Sequence, residues 1–432
     1  MSVQSPCDRH STMRPPTPRA RTRTVRLPDV NVTAHRRAEA GDLIAYALPP
    51  GDIWLEILAA HASSGASFLP VDVRLSNREQ RAVIERARPR LLVTPDDEVL
   101  FADPAPVDPH RAWAVVATSG VSGRPKLAEL PRTALGAAVA GSLTALDASA
   151  FDPWVACLSP AHVGGLLVLL RGALAGAPVD VHDGSEPARV LEKAPDGAHV
   201  ALVPTILRRL VATTPDLSRL GVLLVGGSVL DPALRDAAAR LGGRVVTTYG
   251  LTESCGGVAY DGIPFDETDV RISSAGEIEL TGPTVMEGYR ADPAATAGTF
   301  TVDGWLRTGD LGELDIEGRL IVHGRSDDAI RSGAETVWPD EVEAALRSHP
   351  AVADVAVTGV ADHEWGQRVV AWVVPADRTL PPTLDVLREH CRERLARFKA
   401  PRELILVDAL PRTISGKLRR AAVPRRTAEP RP

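Results

Sequence analysis

The sequence lacks most of what would staple a fold from outside its core. Its four cysteines, Cys7, Cys157, Cys255 and Cys391, stand far apart in no C-x-x-C or metal-ligand spacing. That excludes a disulfide framework and a zinc module and marks them as unpaired thiols. No apolar stretch is long enough for a membrane. The longest, Val163 to Val179, is cut by Arg171 and four glycines, short of the roughly 20 uninterrupted apolar residues a spanning helix needs. A basic excess is missing too, since a formal net charge of -6 and a pI near 6.0 argue against a nucleic-acid partner held by bulk electrostatics. Arg9, Arg14, Arg19, Arg21, Arg23 and Arg26 sit among prolines and threonines with no apolar core behind them, which is not a secretory signal. Residues 1–27 therefore read as a disordered basic arm, with Met13 as an alternative start, and the protein is expected in the cytoplasm. No internal repeat is found.

What is present is a regular alternation. At 432 residues the chain exceeds what one core usually supports, so two or more domains are expected. Strand patterns at Leu43–Leu48, Ser67–Val71, Arg90–Thr94 and Ala112–Ala117 alternate with helix patterns at Ile53–Ser64 and Asn77–Ala87. Helices at Arg132–Leu146 and Leu166–Leu174 follow, with strands at Trp154–Leu158, His199–Val203, Leu220–Val225 and Val245–Tyr249. Such alternation predicts an α/β fold with largely parallel sheets, which hold ligands outside the carboxyl ends of their strands. From Gly276 the runs shorten to Glu277–Leu280 and Arg319–Val322, predicting a small antiparallel, barrel-like β subdomain. Past Arg325–Asp328, helices at Pro339–His349 and Leu384–Arg397 and strands at Val352–Val360, Arg368–Val374 and Glu403–Val407 predict a small α+β domain.

The stretch richest in chemistry is Thr118 to Lys126, which offers two glycines, three hydroxyls and a lysine within nine residues, straight after an apolar strand. Glycines let backbone N–H groups approach an anion, and hydroxyls and an ammonium add donors and charge. It is not the usual P-loop, because Arg124 and Pro125 stand where a glycine must precede the lysine. On composition alone it reads equally well as a polar surface turn or a phosphate cradle.

Four further stretches decide between those readings: Tyr249-Gly250-Leu251-Thr252-Glu253, Trp305-Leu306-Arg307-Thr308-Gly309-Asp310, Gly324-Arg325-Ser326-Asp327-Asp328 and Pro411 to Lys417. With the loop, in this order, they resemble the motifs of the acyl-adenylate-forming superfamily of acyl- and aryl-CoA ligases, adenylation domains and luciferases. His162-Val163-Gly164-Gly165-Leu166, Arg171, Leu202 to Thr205 and Cys255-Gly256-Gly257 look most like o-succinylbenzoate-CoA ligases. The resemblance implies an AMP-binding N-terminal domain over 28–325, a mobile C-terminal lid over 328–420 and a disordered tail over 421–432. It also implies that a carboxylate and ATP give acyl-AMP, which coenzyme A converts to a thioester, with Mg²⁺ as the metal.

The same resemblance implies the roles of single residues. Thr118, Ser119, Gly120, Ser122, Gly123 and Lys126 would cradle the β- and γ-phosphates, Thr252 would bond the α-phosphate, and Glu253 would hold Mg²⁺. Tyr249, Gly250, Gly227 and Ser228 would line the nucleotide, while Asp310, assisted by Arg325, would take the ribose hydroxyls. Lys417 would bridge carboxylate and α-phosphate, His162 would sit beside the substrate carboxylate, and Asp327 would be the hinge. Gly226 would floor the acyl site and Arg171 would meet a second substrate carboxylate. Val121, Leu127 and Ala334 depart from the family pattern, the last along the thiol arm's path. Two other readings stay open: an adenylating enzyme that passes the acyl group to a carrier protein or other nucleophile, and a degenerate member that binds without turnover.

Overall fold

The computed structural model describes residues 38–118, 125–182, 191–333, 335–412 and 418–423. Two seven-stranded sheets form the larger part. The first runs, in spatial order, Gly288–Tyr289, Lys126–Leu130, Ala114–Thr118, Ser67–Pro70, Leu43–Tyr46, Leu91–Val93 and Glu98–Leu100. The second runs Ile263–Pro264, Gly256–Tyr260, Arg244–Leu251, Val222–Val225, His199–Leu202, Trp154–Ala156 and Val179–Val181. Both are mixed rather than parallel throughout. Their central strands pair in parallel, whereas hairpins add antiparallel strands at the margins.

Strand alternation explains the layering. Ile44 and Tyr46 point into one apolar cluster, Leu43 and Ala45 into another, and Leu224 and Leu223 divide in the same way in the second sheet. Each central strand is thus buried on both faces. The shared inner cluster holds the helices Ile53–Ser64, Arg132–Leu146 and Val163–Ala175 between the sheets. This position accounts for the almost wholly apolar sequence of the last two. The helices Asn77–Ala87, Pro204–Thr213 and Pro232–Arg240 cover the outer faces.

The antiparallel subdomain is a four-stranded sheet in the order Asp269–Ile272, Glu277–Thr281, Leu306–Leu314 and Leu320–Arg325. After a single 3₁₀ turn at Ser326–Asp328 comes the last sheet, built on the long antiparallel pair Val352–Asp362 and Gly366–Pro375. The strand Glu403–Leu406 joins it in parallel, and the helices Pro339–Arg347 and Leu384–Arg392 pack on it with a core of their own. No helix among the described residues is long and apolar enough to cross a membrane. Cys157, Cys255 and Cys391 are buried and unpaired.

Candidate active site

Thr118 and Lys126, which bound the expected phosphate loop, face each other as a pair in neighbouring antiparallel strands. Ser119, Gly120, Val121, Ser122 and Gly123 lie outside the described residues, as do Ala334 and Lys417. What is described begins at Lys126. Its Nζ lies 4.7 Å from the ring centroid of Tyr289, and the Tyr289 hydroxyl donates to Glu253 Oε1 at 2.6 Å. One aromatic ring therefore joins the foot of the loop, on the first sheet, to the expected metal ligand beyond the end of a strand in the second.

The segment Tyr249–Glu253 is held at both ends. Tyr249 Oη donates to Asp310 Oδ2 at 2.9 Å, and Arg325 Nη1 donates to Asp310 Oδ1 at 3.1 Å and to the Thr308 carbonyl at 2.8 Å. The Asp310 carboxylate is almost fully buried, and Asp310 pairs with Arg325 across neighbouring strands. Burial, with the Asp310 charge second, pushes the Tyr249 phenol up, so it stays a donor. Gly250 is glycine of necessity, because a Cβ there would fall 1.9 Å from the Gly256 carbonyl. Thr252 and Glu253, both half-buried, open the 3₁₀ turn that ends the strand. Gly226, Gly227 and Ser228 follow the carboxyl end of the neighbouring strand Val222–Val225, with Gly227 and Ser228 exposed.

His162 precedes the helix Val163–Ala175, and its Nε2 lies 3.2 Å from Asp72 Oδ2. Asp72 also accepts from Arg74 through Nε at 2.8 Å and Nη2 at 2.7 Å. Burial alone would raise the Asp72 carboxyl. The hydrogen bonds from Arg74 and His162 outweigh it and hold the group well below the usual carboxylate range. Asp327 is exposed in the 3₁₀ turn between the third and fourth sheets.

Arg171, expected to meet a second substrate carboxylate, lies inside the core. It is 1% exposed, stacks on Trp154 with 4.0 Å from guanidinium to ring, and donates to Ser142 Oγ at 2.6 Å. The helix carrying it starts at His162 and runs back along the sheet, so at 1.5 Å per residue Arg171 stands about 12 Å from the helix start. It reaches Trp154, at the amino end of its strand, whereas Gly226 and Tyr249 lie towards carboxyl ends. Arg171 therefore packs as a core residue, away from the strand ends that carry Gly226 and Tyr249.

Tyr289, Asp72 and Arg74 are site residues that sequence reasoning missed. Tyr289 lies in a two-residue strand with no periodicity to find it by. Asp72 and Arg74 follow the strand Ser67–Pro70, a carboxyl-end position that was a usable signal. Among the described residues no group of three or more His, Cys, Asp or Glu side chains is placed to hold a metal. A lone carboxylate such as Glu253 suits Mg²⁺, which keeps water and phosphate oxygens as its other ligands.

Residues 95–290 match the AMP-binding enzyme family and residues 341–417 the AMP-binding enzyme C-terminal domain. Over 326 residues the chain is 41% identical to a probable 2-succinylbenzoate--CoA ligase of Mycobacterium tuberculosis, covering 73% of this chain and 84% of that protein. Among solved structures it resembles the o-succinylbenzoate CoA synthetase of Bacillus subtilis in complex with its acyl-adenylate intermediate OSB-AMP. There the TM-score is 0.81 and the identity 27%, over 93% of this chain and 91% of that one. The same enzyme in complex with ATP and magnesium ion matches with a TM-score of 0.80 at 26% identity, over 91% of each chain.

Proposed function

The chain belongs to the AMP-binding enzyme family, whose members it matches as an ATP-dependent acid–thiol ligase working through an acyl-AMP, and we propose that its acid is 2-succinylbenzoate. The observation that carries the adenylation chemistry is the two-ended anchoring of Tyr249–Glu253. One end is bound to a buried carboxylate suited to ribose hydroxyls, and the other presents a carboxylate beside a lysine. The choice of acid rests on the likeness to the two enzymes named above.

In the first half-reaction a carboxylate oxygen attacks the α-phosphorus and the bond to pyrophosphate breaks, so the protein's task is alignment and charge neutralisation. Lys126 takes the leaving phosphates together with the loop Ser119–Gly123, and Thr252 donates to the α-phosphate. Magnesium bound at Glu253 would neutralise phosphate charge and orient the chain of phosphates. Asp310, fixed by Tyr249 and Arg325, accepts from the ribose hydroxyls. His162 stands beside the substrate carboxylate, Gly226 to Ser228 floor the acyl site, and Lys417 supplies the ammonium between carboxylate and α-phosphate. In the second half-reaction a thiol attacks the acyl carbon and AMP leaves, the small domain of residues 328–420 having turned about Asp327. A cytoplasmic location suits this use of ATP and coenzyme A.

The test is acid-dependent pyrophosphate release across a panel of aryl and short-chain acids, with and without coenzyme A. Release peaking with 2-succinylbenzoate and a matching yield of CoA thioester is expected. Release without any thioester would transfer the reading to an enzyme that loads a carrier protein. Silence with every acid would overturn catalysis altogether.

A further inference from the structure

Tyr289 belongs to none of the motifs that define the nucleotide site, yet it is the side chain that touches two of them. Its hydroxyl is 2.6 Å from Glu253 Oε1, and its ring centroid is 4.7 Å from Lys126 Nζ. A phenol O–H donates and a carboxylate oxygen accepts, a charge-assisted hydrogen bond. An ammonium over a tyrosine face is attracted by the ring quadrupole.

The ring is also unusually well fixed. Tyr289 is 7% exposed, its backbone N–H donates to Thr296 Oγ1 at 2.8 Å, and its strand pairs with Lys126–Leu130 through Ala128. The next residue bolts the strand down. Arg290, itself buried, donates through Nε to the Ala87 carbonyl at 2.8 Å and through Nη2 to the Ala105 carbonyl at 2.5 Å. It also lies 3.5 Å from Glu129 Oε1. The Glu253 backbone is tied to the same segment, its carbonyl accepting from Met286 N at 2.8 Å.

We propose that Tyr289 is a positioning residue that fixes the spacing between Lys126 and Glu253, and so couples the phosphate-holding and metal-holding halves of the site. Oε1 is engaged by the phenol, and among the described residues Oε2 receives no hydrogen bond, so one defined oxygen is presented to a cation. Mg²⁺ tolerates little departure from octahedral geometry, so a carboxylate free to rotate would bind it less well. The ring meanwhile keeps the ammonium at the foot of the loop. The inference rests on the nucleotide site proposed above and deepens it.

Calorimetric titration of the full chain with ATP, at a series of Mg²⁺ concentrations and without acid, tests this on binding alone. Tyr289→Phe keeps the ring and loses the hydroxyl. It should raise the Mg²⁺ concentration needed for half-maximal ATP affinity about tenfold, the usual worth of a hydrogen bond to a charged group, and leave affinity at saturating Mg²⁺ near wild type. Tyr289→Leu loses both contacts and should in addition weaken ATP binding at saturating Mg²⁺ by about fivefold. Wild-type Mg²⁺ dependence in the Phe variant would overturn the proposal, as would equal losses in both variants at every Mg²⁺ concentration. A wild-type chain that binds no ATP with Mg²⁺ would overturn it together with the nucleotide site, a result distinct from either of these.

Discussion

His162 Nε2 lies 3.2 Å from Asp72 Oδ2, although the two residues follow strands of different sheets. The pair spans the two sheets beside the site, and Arg74 holds Asp72 from the other side with two nitrogens. If His162 meets the substrate carboxylate, Asp72 governs where its ring stands. Asp72→Asn should then raise the KM for the acid about tenfold, the scale of one charge-assisted hydrogen bond, with the KM for ATP unchanged. Pyrophosphate release measured against each substrate in turn checks this. A parallel rise in both constants would contradict it.

The buried Arg171 makes the opposite prediction. Among the described residues no ion pair joins it to a carboxylate, its Nε has no hydrogen-bond partner, and burial presses its pKa downward. Its work is packing against Trp154 and bonding Ser142, which in turn bonds the Tyr260 hydroxyl. Arg171→Ala should cost about 2–5 kcal/mol of stability, as large-to-small core changes do, and Arg171→Met should recover most of it. In both variants the KM for the acid should match wild type once folded protein is counted. A selective rise in that KM with unchanged urea unfolding would return Arg171 to the substrate.

The half-buried Arg420 gives a pH-dependent prediction. Arg420 bonds Asp340 and Glu343 and lies 3.5 Å from Asp328. Burial pushes the Glu343 carboxyl up to about 7, against the pull of Arg420. Arg347 stands 3.8 Å away on the same helix, and the Val357 N–H donates to Glu343 from the facing strand. A raised carboxylate pKa means that the folded state holds a proton the unfolded chain releases, so Glu343 costs stability as pH rises from its ordinary value towards 7. Removing the cation raises that pKa further and carries the cost to higher pH. Arg420→Met should therefore lose about 3 kcal/mol near pH 8.5, as when one partner of a buried pair is removed, and clearly less near pH 5.5. Urea unfolding at the two values checks it, and a deficit that shrinks with rising pH would refute it.

Much of the scaffold was legible because local signals agree. Ile53–Ser64, Asn77–Ala87 and Arg132–Leu146 fall where their patterns put them. The second of these begins on a capping box between Ser76 and Glu79, and the first ends on the left-handed Gly65. Errors came where one residue type carries two meanings. The helix pattern starts at Leu166, after Gly164 and Gly165, yet the helix begins at Val163. Gly165 is glycine because a Cβ would fall 2.2 Å from the Ser159 carbonyl. The helix at Leu384 stops at Arg392, five residues before the pattern's end, since exposed charged residues extend a helical pattern without any packing to enforce it.

By itself the sequence determined the elements, the order of the motifs and the kind of donor each supplies, because capping, periodicity and side-chain chemistry act within a few residues. Only the tertiary structure decided which of these groups meet. Tyr289 between Lys126 and Glu253, Asp72 against His162, and Arg171 turned onto Trp154 all depend on strand order and on the direction in which a helix runs back along its sheet. Those are fixed by burial summed over whole layers, which no short stretch of sequence contains.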